Sequence, residues 1–144
     1  FRLDALQAAI LRVKLPELEG WTETRQANAL TYQEKLRTRG LESHISVPQS
    51  GPGRHVWNQF VIRVSGGQRA EVIEAFKDAG VGCAVYYPVA LHQQACFQGV
   101  SRAPGGCPEA ERACAEVLAL PIAPGLTPDG QDEVIEVLGR ALGA

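Results

Sequence analysis

Methionine is missing from all 144 residues. A complete translated chain keeps its first Met or sheds it beside a small residue, and Phe1 is not small. The opening stretch FRLDALQAAILRVKL also reads as the middle of a helix, so the expectation is the detached C-terminal part of a larger protein. No apolar run is long enough to span a bilayer. No charged start leads into an apolar stretch of the secretory kind. No basic stripe exists: 14 Lys and Arg are interleaved with 16 Asp and Glu for a net charge of -2. Neither nucleic acid nor a membrane is an expected partner. The cysteines Cys83, Cys96, Cys107 and Cys114 form no C-x-x-C pair of the zinc or redox type. They read as reduced thiols in a cytoplasmic protein. Also absent are the G-x-S-x-G elbow, the Walker loop and the H-E-x-x-H pair. The glycines of SGPGRH, split by Pro52, form a turn and not a phosphate loop.

What remains is a core-forming composition. With 45% hydrophobic and 21% charged residues the chain can bury a core, and its length fits one compact domain. Leu3, Leu6, Ile10 and Val13 recur at three- and four-residue steps, one face of an amphipathic helix. Pro16 ends or kinks it. The period resumes through Leu18, Trp21, Ala29, Tyr32 and Leu36 and stops near Gly40, a C-terminal cap. Residues 2–39 thus form a long helical arm whose apolar face exceeds what so small a sheet can cover.

The period then changes. Ile45 and Val47 alternate in a short strand, PQSGPGR is a turn, and HVWNQFVIRV is the strongest strand. There Val56, Phe60, Ile62 and Val64 share one face, with Trp57, Val61 and Arg63 on the other. QRAEVIEAFKDAG is a helix with Val72, Ile73 and Phe76 inward, ended by Gly80. CAVYYP, Cys83 to Pro88, reads as a third strand. Val89 to Pro108 is a long loop of the kind that often carries function. A helix from Glu109 to about Leu118, an extended LALPIAP, and a last helix capped by Thr127 and started by Pro128 complete the chain. In that last helix Val134, Leu138 and Leu142 face inward. The architecture is α/β (α+β): about three strands packed with helices.

Few residues could carry chemistry. His92 and Cys96 stand four apart, but two ligands do not make a metal site. As a thiol enzyme, Cys96 would need His92 as its base. His44 and His55 flank the PQSGPGR turn, and His55 reads as an edge or interface residue. YYPVALH, Tyr86 to His92, places two phenols and an imidazole just after a strand end, where a loop can line a cleft. Those groups could hydrogen-bond a polar ligand and stack on a sugar face. Equally, they could be a pair of half-buried tyrosines and a surface histidine.

Four stretches in order, FRLDALQAAILRVKLPELEGW, HVWNQFVIRV, VYYPVALHQQACF and ERACAEVLALPIAPGLT, resemble the C-terminal part of the DegT/DnrJ/StrS-type nucleotide-sugar aminotransferases. The resemblance implies the small C-terminal domain of the PLP-dependent transferase (aspartate aminotransferase-like) fold. It implies a helical arm, residues 1–40, crossing from a missing N-terminal large domain into a small α/β domain, residues 41–144. The arm's stripe would pack on the large domain and near the partner of a homodimer. The reaction implied is transfer of an amino group from glutamate to a nucleotide-linked keto-sugar through pyridoxal 5'-phosphate. None of Lys14, Lys35 and Lys77 matches the family's Schiff-base lysine, so no cofactor and no activity are expected for this chain alone. Substrate-binding roles carry over to Arg2, which follows Phe1, and to Tyr86, Tyr87 and His92. Some relatives have His where Tyr86 stands. The rival reading is a free-standing, non-catalytic α/β binding or interaction module.

Overall fold

The computed structural model describes residues 2–97, 99 and 105–144. Its first helix, α1, runs from Ala5 to Lys14. Asp4 starts it: one carboxylate oxygen accepts from the N–H groups of Leu6 at 2.8 Å and Gln7 at 3.4 Å, two donors that a helix start otherwise leaves unpaired. Pro16 neither stops the arm nor bends it within an α-helix. It sits in a 3-10 turn, Leu15–Glu17, that joins α1 directly to α2, Leu18–Thr38. A tighter turn accommodates a residue that has no N–H to give to the α-helical ladder. Gly40 follows α2 with φ 68°, the left-handed conformation that ends a helix at least cost in a residue without Cβ.

Burial divides the arm. No residue of α1 is buried, and Leu3, Leu6, Val13 and Leu15 are 61%, 72%, 77% and 66% exposed. Ala29, Tyr32 and Leu36 in the second half of α2 are completely buried members of the core. The second half of α2 thus shares one core with residues beyond Gly40.

Three strands form an antiparallel sheet in the order β1-β2-β3: β1, Ile45–Ser46; β2, Phe60–Val64; β3, Val117–Leu120. Ile45 pairs with Val64, and Phe60 pairs with Leu120. Phe60, Ile62 and Val64 turn inward at period two, while Val61 and Arg63 are half-buried on the other face. There Arg63 meets Glu116 at 2.7 Å. The remaining helices are α3, Arg69–Asp78; α4, Pro108–Glu116; and α5, Pro128–Leu142. The core joins Val72 and Phe76 of α3, the inward face of β2, and Val134, Ile135 and Leu138 of α5. Thr127 caps α5 as expected, its hydroxyl oxygen accepting from the Gly130 N–H at 3.1 Å. Val134, Leu138 and Leu142 are buried, also as expected.

Three sequence expectations are corrected. The HVWNQFVIRV strand begins at Phe60, not His55. Val56 is 51% exposed and Trp57 only 4%, the reverse of the expected faces. Trp57 has φ 47°, and one left-handed residue breaks the two-residue alternation that assigned them. CAVYYP is not a strand: it contributes one bridge, Ala84 to Ala119, with hydrogen bonds of 3.2 and 2.7 Å. Pro88 has no N–H with which to extend such a ladder. The third strand is Val117–Leu120, so the helix expected to reach Leu118 stops at Glu116. Ala, Glu and Leu favour a helix there, but pairing with β2 and burial of Leu118 to Leu120 outweigh that small preference. The expected loop from Val89 to Pro108 holds two 3-10 turns, Leu91–Gln93 and Ala95–Phe97, and its residues 98 and 100–104 lie outside those described. No helix among the described residues is long and apolar enough to cross a membrane.

Candidate functional site

A cleft of about 390 Å³ opens beside the outer edge of β3. Its wall is the end of that strand, Ala119 and Leu120, and the Pro121 and Ile122 that follow it, with Gly82 to Ala84 lying alongside. The Ala84–Ala119 bridge fixes that second segment and delivers Tyr86 to the same opening. Asn58 and Gln59, the residues that lead into β2, line it too.

The chemistry of this lining is uniform in one respect. Asn58, Gln59 and Tyr86 offer amides and a phenol, Ala119, Leu120, Pro121 and Ile122 offer apolar contact, and no ionised side chain is present. Cys83 adds a thiol whose pKa burial raises, which keeps it protonated and a poor nucleophile. Paired amides both donate and accept, and a phenol does either. Such a set suits an uncharged ligand rich in hydroxyls and offers no cation to a phosphate or carboxylate.

The loop leading to Asn58 is held tightly. Gln26 Nε2 donates to the His55 carbonyl at 2.8 Å and Arg25 Nε to the Val56 carbonyl at 3.3 Å. The Trp57 N–H donates to His55 Nδ1 at 3.0 Å, and the two rings lie 4.0 Å apart at 37°. Trp57 then packs against Phe60 at 5.5 Å, and Phe60 against Tyr32 at 5.1 Å. A left-handed backbone costs a residue with a side chain roughly 1–3 kcal/mol, so surrounding contacts must hold Trp57 in it.

The residues singled out in the sequence are dispersed. Tyr86 is 42% exposed in the cleft. Tyr87 is 70% exposed, edge-on to Tyr86 at 5.8 Å, and outside the cleft lining. His92 turns away: Nε2 lies 2.8 Å from Glu111 Oε1, an oxygen that also accepts from the Cys107 N–H at 3.3 Å. The two contacts hold the Glu111 carboxyl below the usual glutamate range, that from His92 being the larger cause. Arg2 is exposed ahead of α1 and is not among the cleft residues, and Phe1 lies outside the described residues. The Cys96 thiol is exposed and approaches Gln94 Oε1 at 4.0 Å, while His92 is engaged by Glu111.

All three lysines stand on helices away from the cleft. Lys35 pairs with Asp132 at 2.6 Å, Lys77 with Glu74 at 3.5 Å, and Lys14 is exposed in the last turn of α1. No group of His, Cys, Asp and Glu among the described residues could hold a metal ion. Sequence reasoning missed Asn58, Gln59 and the end of β3. The signal available was an Asn-Gln pair interrupting an apolar strand pattern, and it was absorbed into the alternation.

The profile of the DegT/DnrJ/EryC1/StrS aminotransferase family matches residues 1–139. A "pleiotropic regulatory protein" of Geobacillus stearothermophilus is 40% identical over 140 residues, which are 96% of this chain and 37% of that protein. A dTDP-3-amino-3,4,6-trideoxy-alpha-D-glucose transaminase of Streptomyces venezuelae is 34% identical over 127 residues, 87% of this chain and 32% of that protein. The chain thus spans about a third of the length of these relatives. The crystal structure of a DegT DnrJ EryC1 StrS aminotransferase from Brucella abortus superposes with a TM-score of 0.87 at 33% identity, covering 99% of this chain and 37% of that one.

Proposed function

The chain belongs to the DegT/DnrJ/EryC1/StrS aminotransferase family, and from that premise we propose that it is the substrate-side C-terminal domain of a nucleotide-sugar aminotransferase. The observation that carries this reading is the uncharged cleft lined by Asn58, Gln59 and Tyr86. In this reading the amides and the phenol hold hydroxyls of the sugar, and Ala119 to Ile122 pack on its apolar face. Residues 1–40 are the arm to a large domain, and residues 41–144 the small domain. The parent protein works as a cytoplasmic homodimer with glutamate as amino donor.

Pyridoxal phosphate supplies the electron sink for amino transfer in enzymes of this kind. The residues of this chain do not fit it: no lysine reaches the cleft, and no cation lines it to meet a phosphate. Holding the cofactor and moving the proton fall to the large domain. The roles left to this chain are to bind and orient the sugar. Tyr86 does so directly. Tyr87 and Arg2, both exposed, reach the sugar only where the large domain or the partner subunit closes the site. His92, held by Glu111, stands at the mouth of the site and shapes the loop.

The test is a chimera in which residues 2–144 replace the matching C-terminal third of the Streptomyces venezuelae transaminase. A cofactor-loaded chimera that aminates the nucleotide sugar is expected, with Tyr86→Phe raising KM by about threefold to tenfold for one lost hydrogen bond. A folded, cofactor-loaded chimera that binds no nucleotide sugar sinks the proposal. Pyridoxal phosphate mixed with the chain alone gives no absorbance of bound cofactor. The reading as a self-contained module is weakened by α1, which buries nothing.

A further inference from the structure

We propose that His55 is a positioning residue: its Nδ1 holds Trp57 in the left-handed conformation that presents Asn58 and Gln59 to the cleft. The proposal rests on the reading of that cleft as the sugar site. The geometry leaves His55 a specific task. Upstream, Gln26 and Arg25 fix the carbonyls of His55 and Val56 to α2. Downstream, the indole of Trp57 is locked in the core against Phe60. Between these anchors the backbone must turn through φ 47° at Trp57, the one residue other than glycine with positive φ among those described. A turn of this sense reverses which side of the chain the next residues face. Without it, period-two geometry would carry Trp57 outward and set Asn58 and Gln59 differently against β3.

The Trp57 N–H finds its acceptor in His55 Nδ1 at 3.0 Å, two residues back. The imidazole also lies on the indole at 4.0 Å, so one side chain satisfies the donor and covers the ring. Short polar side chains make the same backbone-capping contact in Asx turns. His55 differs in adding an aromatic face, which suits the flank of a buried indole. It is itself exposed, so it can be changed without opening a core cavity.

Nuclear magnetic resonance of the 144-residue chain tests this with three variants. His55→Ala removes acceptor and ring, His55→Phe keeps a ring without an acceptor, and His55→Asn keeps an acceptor without the ring. Ala and Phe are expected to speed hydrogen exchange at the Trp57 amide about tenfold. They should also move the side-chain amide signals of Asn58 and Gln59. Asn should restore both towards wild type, which a merely space-filling role for His55 would not allow. Unchanged signals in Ala and Phe, or an Asn variant that behaves like Ala, overturn the proposal. Should the Ala variant fail to fold, Phe against Asn decides. Titration of the wild-type chain with thymidine diphosphate glucose separates the two readings. A shift at Asn58 and Gln59 supports the sugar in the cleft, and a folded, cofactor-loaded chimera that binds no nucleotide sugar removes it, whereas the variants judge the His55 contact by itself.

Discussion

Helices α1 and α5 are alike on paper and opposite in the fold. Both are amphipathic, both begin at a side-chain cap, and both carry basic residues in the last turn. α5 buries Val134, Ile135, Val137, Leu138 and Leu142, and α1 buries nothing. Periodicity therefore says where an apolar face lies and not what covers it. α2 contains both outcomes in one helix: Leu18 is 50% exposed near its start, and Leu36 near its end is wholly buried. A groove of about 510 Å³ between Leu3, Leu11, Leu15, Leu18 and Trp21 makes the uncovered face concrete.

Truncation of buried and exposed apolar side chains gives the largest contrast. Phe60→Ala is expected to cost about 3–5 kcal/mol, because Phe60 is fully buried and touches Trp57 and Tyr32. Leu6→Ala, at 72% exposure, should change stability by less than about 0.5 kcal/mol. Urea unfolding followed by circular dichroism reads both. A Leu6 variant that loses several kcal/mol would mean that the arm is packed in solution, and the contrast between the helices would collapse.

The caps give a finer test at matched chemistry. Thr127→Ala removes the acceptor at Gly130 and should cost about 1 kcal/mol of global stability, since α5 unfolds with the core. Asp4→Ala removes contacts to Leu6 and Gln7 that are at least as complete. It should leave the unfolding midpoint unchanged and lower only the helical signal, because α1 frays without the core. Equal losses from the two caps would tie α1 to the cooperative unit.

These contrasts explain what the sequence could and could not reveal. Local chemistry was legible: the Thr127 cap, the Gly40 and Gly80 stops, and the inward faces of α3 and α5 all follow from residue type and spacing. The family followed from four ordered stretches, and with it the fold. What failed was non-local. Val117 to Leu120 reads as helix until β2 is beside it, and CAVYYP reads as strand until one sees that only Ala84 is paired. Trp57 misled because a single left-handed residue inverts the register of everything read through it. Of the cleft lining, Tyr86 was singled out in the sequence, though from a strand end that the fold reduces to the Ala84–Ala119 bridge. Asn58 and Gln59 were not, since the fold alone sets them beside Ala119 to Ile122.

Inside the buried region, one polar atom sharpens the comparison from the other side. The Tyr32 hydroxyl is buried with no hydrogen-bond partner among the described residues, and burial raises its pKa far above the usual range. A buried donor without a partner is a liability, so Tyr32→Phe should be neutral or stabilise by up to about 1 kcal/mol. A thermal midpoint that falls would show that the phenol has found an acceptor, and that the core is not purely apolar at α2.

The smallest effect is expected where contact exists without deep burial, at His92 and Glu111. Glu111 accepts from His92 and from the Cys107 N–H, bridging the turn after Tyr87 to the start of α4. Both contacts lower its carboxyl pKa in the fold, with His92 the larger cause. A carboxylate with a depressed folded value contributes stability that is fully present above its unfolded pKa, ordinarily about 4.3. That contribution disappears as pH falls through the lower folded value. Glu111→Gln should therefore flatten the acid limb of the stability curve below about pH 5. Between pH 6 and 8 it should change the midpoint only slightly, as befits a partly exposed pair. Midpoints of wild type and variant taken from pH 7 down to pH 3 provide the measurement. Parallel curves would mean that His92 and Glu111 do not meet in solution.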